Sequence, residues 1–176
     1  MIKHWTDKEL NEELLKLTVI ADSREQINNH ITEYFDKKKI PYITRKIDTG
    51  DYSAQIGDSS LEETVVIERK HNLDEIAGNI TQSRERFERE FLRAKAYGTK
   101  VFLIIENASW DDIYMQNYRS KLSNKSFLAT LLSWQVRFNI TIIFCDSRNT
   151  PKLMYGILYY YAREVLLHKQ KLIEWW

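Results

Sequence analysis

The sequence predicts an α/β fold built on a central mixed β-sheet flanked by helices on both faces. Two apolar runs, "KVFLIIE" (100–106) and "NITIIFC" (139–145), enclose the helical stretch "SNKSFLATLLSWQVRF", the βαβ order that implies parallel strands. "GDYSAQIG" and "ETVVIERK" read as antiparallel neighbours joined by a loop around "GDSSLE". Further helical stretches open, interleave and close the chain.

The elements follow in order. "TDKE" (6–9) has the form of a capping box, and Leu10, Leu14 and Leu17 at helical spacing make a short amphipathic helix. "LTVIADS" (17–23) is a buried strand ending in a polar turn, followed by a helix from Glu25 to Lys38 and a strand at "PYITRKI". One helical region spans Asn72 to Gly98, and a short helix lies near "WDDIYM". "TPKLMYGILYYYAREVLLHK" closes the chain as a helix, with Thr150 suited to the N-cap and Pro151 to the first helical position. The expected organisation is a helical extension (1–17), one main domain (18–168) and a tail (169–176) in which Trp175 and Trp176 have no assigned role.

Hydrophobic residues make up 43% and charged residues 29%, a balance that excludes a disordered chain. A net charge of +1 means that any nucleic-acid site must come from local clustering. The one cysteine, Cys145, lies in an apolar run and reads as a core residue, so a disulfide framework is excluded and a reducing, cytoplasmic location is expected. The N-terminus lacks a signal-peptide core, and no window reaches the roughly 18 apolar residues of a membrane span.

The chemistry concentrates around "VVIERKHNLDE" (65–75), a hydrophobic strand ending in Glu68, Arg69 and Lys70. Residues two apart share a strand face, so Glu68 and Lys70 project together while Arg69 points the other way. A carboxylate beside an ammonium can bind a hard cation and orient a water, given a second acid from a neighbouring strand. Asp51 is that candidate, with Gly50 before it permitting close backbone approach. Asp22 ends the first strand and Asp74 opens the next helix, which brings Asp22, Asp51, Glu68, Lys70 and Asp74 to one sheet edge. Taken singly, each has a plain structural explanation as a turn, helix-start or strand-end charge.

The pattern Gly50-Asp51, sixteen residues, Glu68-Arg69-Lys70, three residues, Asp74 resembles the nuclease signature of the XPF/Hef family, a branch of the restriction-endonuclease-like PD-(D/E)xK group. "VIADSRE" is similar to the family's first strand, and "SRERFEREFLRAKAY" to the helix after its active site. The similarity runs from about residue 18 to 166, and a single-domain form, without the family's helicase or tandem helix-hairpin-helix regions, is expected. It implies a DNA endonuclease dependent on Mg²⁺ or Mn²⁺, acting on branched, flap or fork DNA in repair, recombination or replication. In that reading Asp51 and Glu68 ligate the metal, Lys70 orients or activates the attacking water, and Asp22 and Asp74 complete the acidic edge. Arg24 and Arg69 contact phosphate or stabilise the site. Zinc is not expected, because histidines and cysteine lack ligand spacing. A catalytically silent scaffold or partner subunit, and an RNA or restriction-like nuclease, remain the alternatives.

Arg84, Arg86, Arg89 and Arg93 belong to a basic stretch from Thr81 to Lys100 in which Arg86, Arg89 and Arg93 share one helical face. Next to an acidic edge this reads as a grip on the DNA backbone. The closing helix is apolar on nearly every face, so a homodimer is expected, aided by Phe127, Leu131, Trp134 and Phe138 on the helix before it. The resembled family also dimerises through its nuclease domains.

Overall fold

β-Branched and aliphatic residues dominate the sheet-forming runs, and the apolar spacing turns helical between them. The computed structural model describes residues 5–174, with side chains for 5–167. Trp175 and Trp176 lie outside the described residues. The order is α1 (Asp7–Leu14), β1 (Leu17–Asp22), α2 (Asn29–Lys38), β2 (Tyr42–Arg45), β3 (Tyr52–Ile56), β4 (Ser59–Ser60), β5 (Val65–Lys70), α3 (Leu73–Gln82), α4 (Arg84–Tyr97), β6 (Lys100–Glu106), α5 (Trp110–Tyr114), α6 (Asn124–Phe138), β7 (Thr141–Cys145) and α7 (Thr150–Glu174).

The strands form one mixed sheet in the order β2-β1-β3-β5-β6-β7, with β4 pairing β3 off that path. β1 runs parallel to β2 and antiparallel to β3. β3 meets β5 antiparallel through the pair Tyr52 and Ile67, and β5, β6 and β7 run parallel. The α/β class, the antiparallel β3–β5 pair and the parallel β6–β7 pair thus stand as the sequence predicts.

Alternation along β5 sends its side chains into two cores. Val66 packs with Phe87, Phe91, Leu131 and Trp134 beneath α3, α4 and α6. Val65 and Ile67 pack with Phe35, Met154 and Leu158 beneath α1, α2 and α7. The same alternation carries Glu68 and Lys70 to the first side and Arg69 to the second. Cys145 is half-buried at the end of β7, packed against the second core. Among the described residues no helix is long and apolar enough to cross a membrane.

Several boundaries differ from expectation for identifiable reasons. The capping box on α1 forms as predicted, but Leu17 leaves the helix and opens β1, fully buried. α2 starts at Asn29 because the preceding turn is committed elsewhere: the Glu25 carboxylate and the Ile27 carbonyl both accept from Arg69. The helical region from Asn72 breaks at Ser83, whose φ of −135° is not helical, giving α3 and α4. Thr150 is itself helical and fully buried, and its hydroxyl donates to the Asp146 carbonyl (3.4 Å).

The expected dimer stripe on α6 is corrected outright. Phe127, Leu131, Trp134 and Phe138 are all buried in the core and cannot meet a partner. α7 buries Met154, Leu158 and Ala162 on the sheet, while α1 and α2 lie against it and leave Leu153, Tyr155, Ile157 and Val165 half-buried. Much of the apolar surface expected to be open on α7 is therefore covered within the chain.

Candidate active site

The site is built where the chain squeezes between β1 and β5. Gly50 has φ +76°, and a Cβ there would lie 2.9 Å from Val66 Cβ, so both conformation and space require glycine. The close approach lets Asp51 bridge the two strands. Its N–H donates to the Ile67 carbonyl (2.8 Å) and its carbonyl accepts from the Asp22 N–H (2.8 Å). Its side-chain Oδ2 accepts from the Arg69 N–H (2.7 Å), which fixes the carboxylate beside the end of β5.

Glu68 and Lys70 share the adjoining face. Lys70 Nζ donates to Glu68 Oε1 (2.7 Å) and lies 3.5 Å from Glu75 Oε1 on α3. The Phe87 ring of α4 lies 5.2 Å from the ammonium, so α4 closes one side of the site. Burial, then the Glu68 charge, pushes the Asp51 carboxyl well above the usual carboxylate range, against the pull of Lys70. Lys70 is shifted the other way from a lone buried amine: burial alone would lower it, yet Glu68 and Asp51 outweigh burial and keep it protonated. Burial raises Glu68 as well, with the Glu90 and Glu75 charges adding to it against the pull of Lys70, so the two buried carboxylates form a donor pair short of positive charge. That suits a hard, oxygen-seeking cation such as Mg²⁺ or Mn²⁺, which commonly takes one or two carboxylates and fills its shell with water. Among the described residues no group of three His, Cys, Asp or Glu is arranged around a metal position.

The other expected site residues take different places. Asp22 is buried and saturated: Oδ1 accepts from the Arg24 N–H (2.7 Å) and Nε (2.8 Å), and Oδ2 from Arg24 Nη2 (2.8 Å) and the Ile47 N–H (2.9 Å). Burial would raise its pKa, but the Arg24 side chain and these backbone donors hold it down to about 2. In this geometry its carboxylate organises the turn after β1. Arg24 stays largely exposed and close enough to Asp51 to feel its charge, a position open to phosphate.

Arg69 is enclosed on the opposite face. Its guanidinium donates to Glu106 Oε2 (2.9 Å), to Glu25 and to the Ile27 carbonyl (2.7 Å), and a ring nitrogen of His30 lies 2.9 Å from Glu106 Oε1. With its side chain 1% exposed it cannot reach DNA, so of its two expected roles only support of the site fits. Asp74 accepts from the Arg119 N–H (2.7 Å) and Nε (2.8 Å), whereas its neighbour Glu75 faces Lys70. Consecutive helical residues point about 100° apart, and the start of α3 at Leu73 fixes which one turns inward.

On α4 all four arginines are exposed. Arg84 pairs with Glu88 (2.7 Å) and Arg86 loosely with Glu90 (3.8 Å), and Arg93 donates to the Asp48 carbonyl (3.2 Å) in the loop before Gly50. Arg89 makes no side-chain hydrogen bond or ion pair among the described residues, Glu85 included. Sequence reasoning missed Glu25, Glu75, Glu90 and Glu106. Glu106 was within reach, because it ends an apolar strand as Glu68 does.

The ERCC4 domain matches residues 21–154 of this sequence. The chain belongs to that family. Its fold is that of an XPF-type nuclease domain, a restriction-endonuclease-like fold: it is similar to a structure of XPF from Aeropyrum pernix with TM-score 0.62 at 19% identity, over 82% of this chain and 61% of that one. A second similar structure, XPF from Aeropyrum pernix in complex with DNA, gives TM-score 0.62 at 17% identity, over 84% of this chain and 66% of that one. The chain thus spans under two thirds of the length of either relative. No curated protein sequence matches it. Within the ERCC4 match lie Asp22, Asp51, Glu68, Lys70 and the whole of α3 and α4.

Asp22 gives the site a pH signature. Its folded pKa, about 2, is below the reference value of 3.8, so its stabilisation is complete above pH ~4 and is lost as pH falls from ~4 to ~2. Asp22→Asn should remove up to about 2 kcal/mol at pH 7 and flatten the acid limb of the stability curve, read by urea denaturation across pH. An unchanged acid limb would show that the carboxylate does not hold the turn.

Proposed function

We propose that this protein is a metal-dependent DNA endonuclease, with Asp51 and Glu68 as metal ligands and Lys70 as the group that positions the attacking water. The observation that carries the reading is the buried Asp51–Glu68 carboxylate pair beside a protonated lysine at one strand end. Carboxylates without the lysine would suit a passive ion site, and the lysine without them would not stay charged at this burial.

In phosphodiester hydrolysis the water oxygen bonds to phosphorus as its proton passes to solvent, the bond to the leaving sugar oxygen breaks as that oxygen takes a proton from solvent, and negative charge grows on the phosphoryl oxygens in between. A Mg²⁺ or Mn²⁺ ion, which Asp51 and Glu68 would hold, would supply Lewis acidity there. The chain's own groups do the rest. Lys70, an ammonium with three donors, hydrogen-bonds a lone pair of the water, which orients it, and offsets the developing charge. Asp51 is held rigid by its three backbone bonds, so ligand geometry is set before substrate arrives. Arg24 and the exposed arginines of α4 hold phosphates on either side of the edge. Branched, flap or fork DNA is the proposed substrate class, as the resemblance implies, and retention of every signature residue speaks against a silent scaffold.

The pure protein should cleave labelled flap, fork or junction DNA with Mg²⁺ or Mn²⁺ and not with EDTA. Asp51→Asn and Glu68→Gln should abolish cleavage, and Asp51→Asn should stabilise the metal-free fold at neutral pH, because it removes a buried charge while keeping volume. Substantial cleavage by either variant would sink the ligand assignment.

Lys70→Ala should lose about 10²–10³ in kcat and retain DNA affinity, because its contact is with the water and the transition state. Charge reversal at Arg86 and Arg89 should do the opposite, weakening binding and flattening its dependence on salt. Arg93 is left intact in that test because it also props the loop before Gly50.

We also propose that the protein is a two-fold homodimer. The supporting surface differs from the one first expected: Leu132 (50% exposed) and Val136 (85%), one turn apart on the outer side of α6. Light scattering at micromolar concentration should give twice the 21.1 kDa chain mass, and Val136→Glu should return the monomer. A monomeric mass for the unaltered protein would rule the stable dimer out.

A further inference from the structure

α3 leaves the site carrying a second feature on its outer side. Glu75 touches Lys70, and one residue away Asp74 opens a groove of about 920 Å³ that runs along the helix. One wall is α3, with Asp74, Gly78 and Thr81; the other is the segment joining α5 to α6, with Arg119, Lys121 and Ser123. The candidate site and the groove therefore lie on neighbouring sides of the first turn of α3.

We infer that this groove carries the sugar-phosphate backbone of the cleaved DNA strand as it leaves the scissile position, an inference that rests on the nuclease reading above. Three features of the groove point to a phosphodiester chain. Its charge is positive where it is free: the one carboxylate, Asp74, is taken by Arg119 through two bonds, leaving the terminal guanidinium nitrogens and the Lys121 ammonium without a partner among the described residues. Arg119 is 88% exposed despite that anchoring, so its fork is aimed and open at once. Of the remaining lining, Thr81, Gln82, Ser120 and Ser123 offer polar groups to phosphate oxygens, beside one apolar residue, Leu122.

The third feature is Gly78. A glycine inside a helix costs about 1 kcal/mol relative to alanine, and this one has neither a positive φ nor a close neighbour to justify it: an added Cβ would meet nothing within 4 Å. Internal packing does not need glycine here. Its effect is to leave the floor of the groove bare, so that a chain can lie against the backbone of α3. A duplex would present a second backbone with no matching wall, so the occupant is a single strand.

The test compares the unaltered protein with Gly78→Leu, which fills the floor, Lys121→Glu, which reverses the free charge, and Gly78→Ala, which adds only a methyl into open space. Each is assayed for cleavage kinetics on a flap substrate and, with Ca²⁺ in place of the catalytic metal, for binding of a labelled single strand and of a blunt duplex across a salt series. Gly78→Leu and Lys121→Glu should raise KM and the single-strand Kd about tenfold, with kcat unchanged and the salt slope for Lys121→Glu reduced by about 1. Gly78→Ala should melt higher and weaken single-strand binding by a smaller factor than Gly78→Leu. Unaltered KM and Kd in both blocking variants, while the parent protein cleaves, would overturn the groove assignment alone. A loss confined to the duplex would overturn the assignment to a single strand. If the parent neither binds nor cleaves DNA, the nuclease reading fails and this inference goes with it.

Discussion

The geometry of the site depends on one close crossing, that of Gly50 and Asp51 between β1 and β5. Three backbone bonds hold Asp51, and they exist only because residue 50 lacks a Cβ and adopts a left-handed conformation against Val66. A carboxylate so fixed cannot swing away from Glu68 to relieve repulsion. The fold therefore stores an unfavourable charge pair at that point, and the pairing of Glu68 with Lys70 only partly offsets it. With a cation bound there, as proposed above, the stability lost in the empty site would return as affinity in the filled one.

The two faces of the β5 terminus handle charge in different ways. On one, Lys70 sits against Phe87 at the rim of α4 and pairs with Glu68, each side chain keeping 10% exposure. On the other, Arg69 is sealed among Glu25, Glu106 and the Ile27 carbonyl, with its Nε left without a partner. That network ties the end of β5 to the end of β6 and to the turn before α2. Removing one member would strand the others in a low-dielectric interior, and the site-bearing strand would lose its anchor. Arg69 thus anchors, from behind, the backbone whose N–H holds Asp51.

The helices divide the outer work in a similar way. α4 presents exposed arginines on the side where Glu90 adds to the acidic field around Glu68, and two of its neighbouring cations serve structure instead: Lys95 donates to the Arg137 carbonyl (2.5 Å) and Lys100 to the Asn139 carbonyl (2.9 Å), closing the C-terminus of α6. A run of basic residues in the sequence is therefore not a single surface. Which of them remain free is decided by where α6 ends.

The sequence by itself determined the elements and the chemical core of the site. Alternation in "ETVVIERK" places Glu68 and Lys70 on one face and Arg69 on the other, and a glycine before Asp51 marks a close approach; both are local properties of the backbone and survive into the structure unchanged. Tertiary structure decided which carboxylates are free. Asp22 and Asp74 carry the same charge as Asp51 in the sequence, yet each is claimed by an arginine, Arg24 and Arg119, whose proximity depends on turns and loops that no periodicity encodes. It likewise turned Glu75 inward in place of Asp74 and buried the stripe of α6 that looked available for a partner. Strand and helix periods fix the direction of a side chain relative to its own element; what it meets there is set by the packing of elements distant in the chain, and hydrogen-bond partners follow from that packing alone.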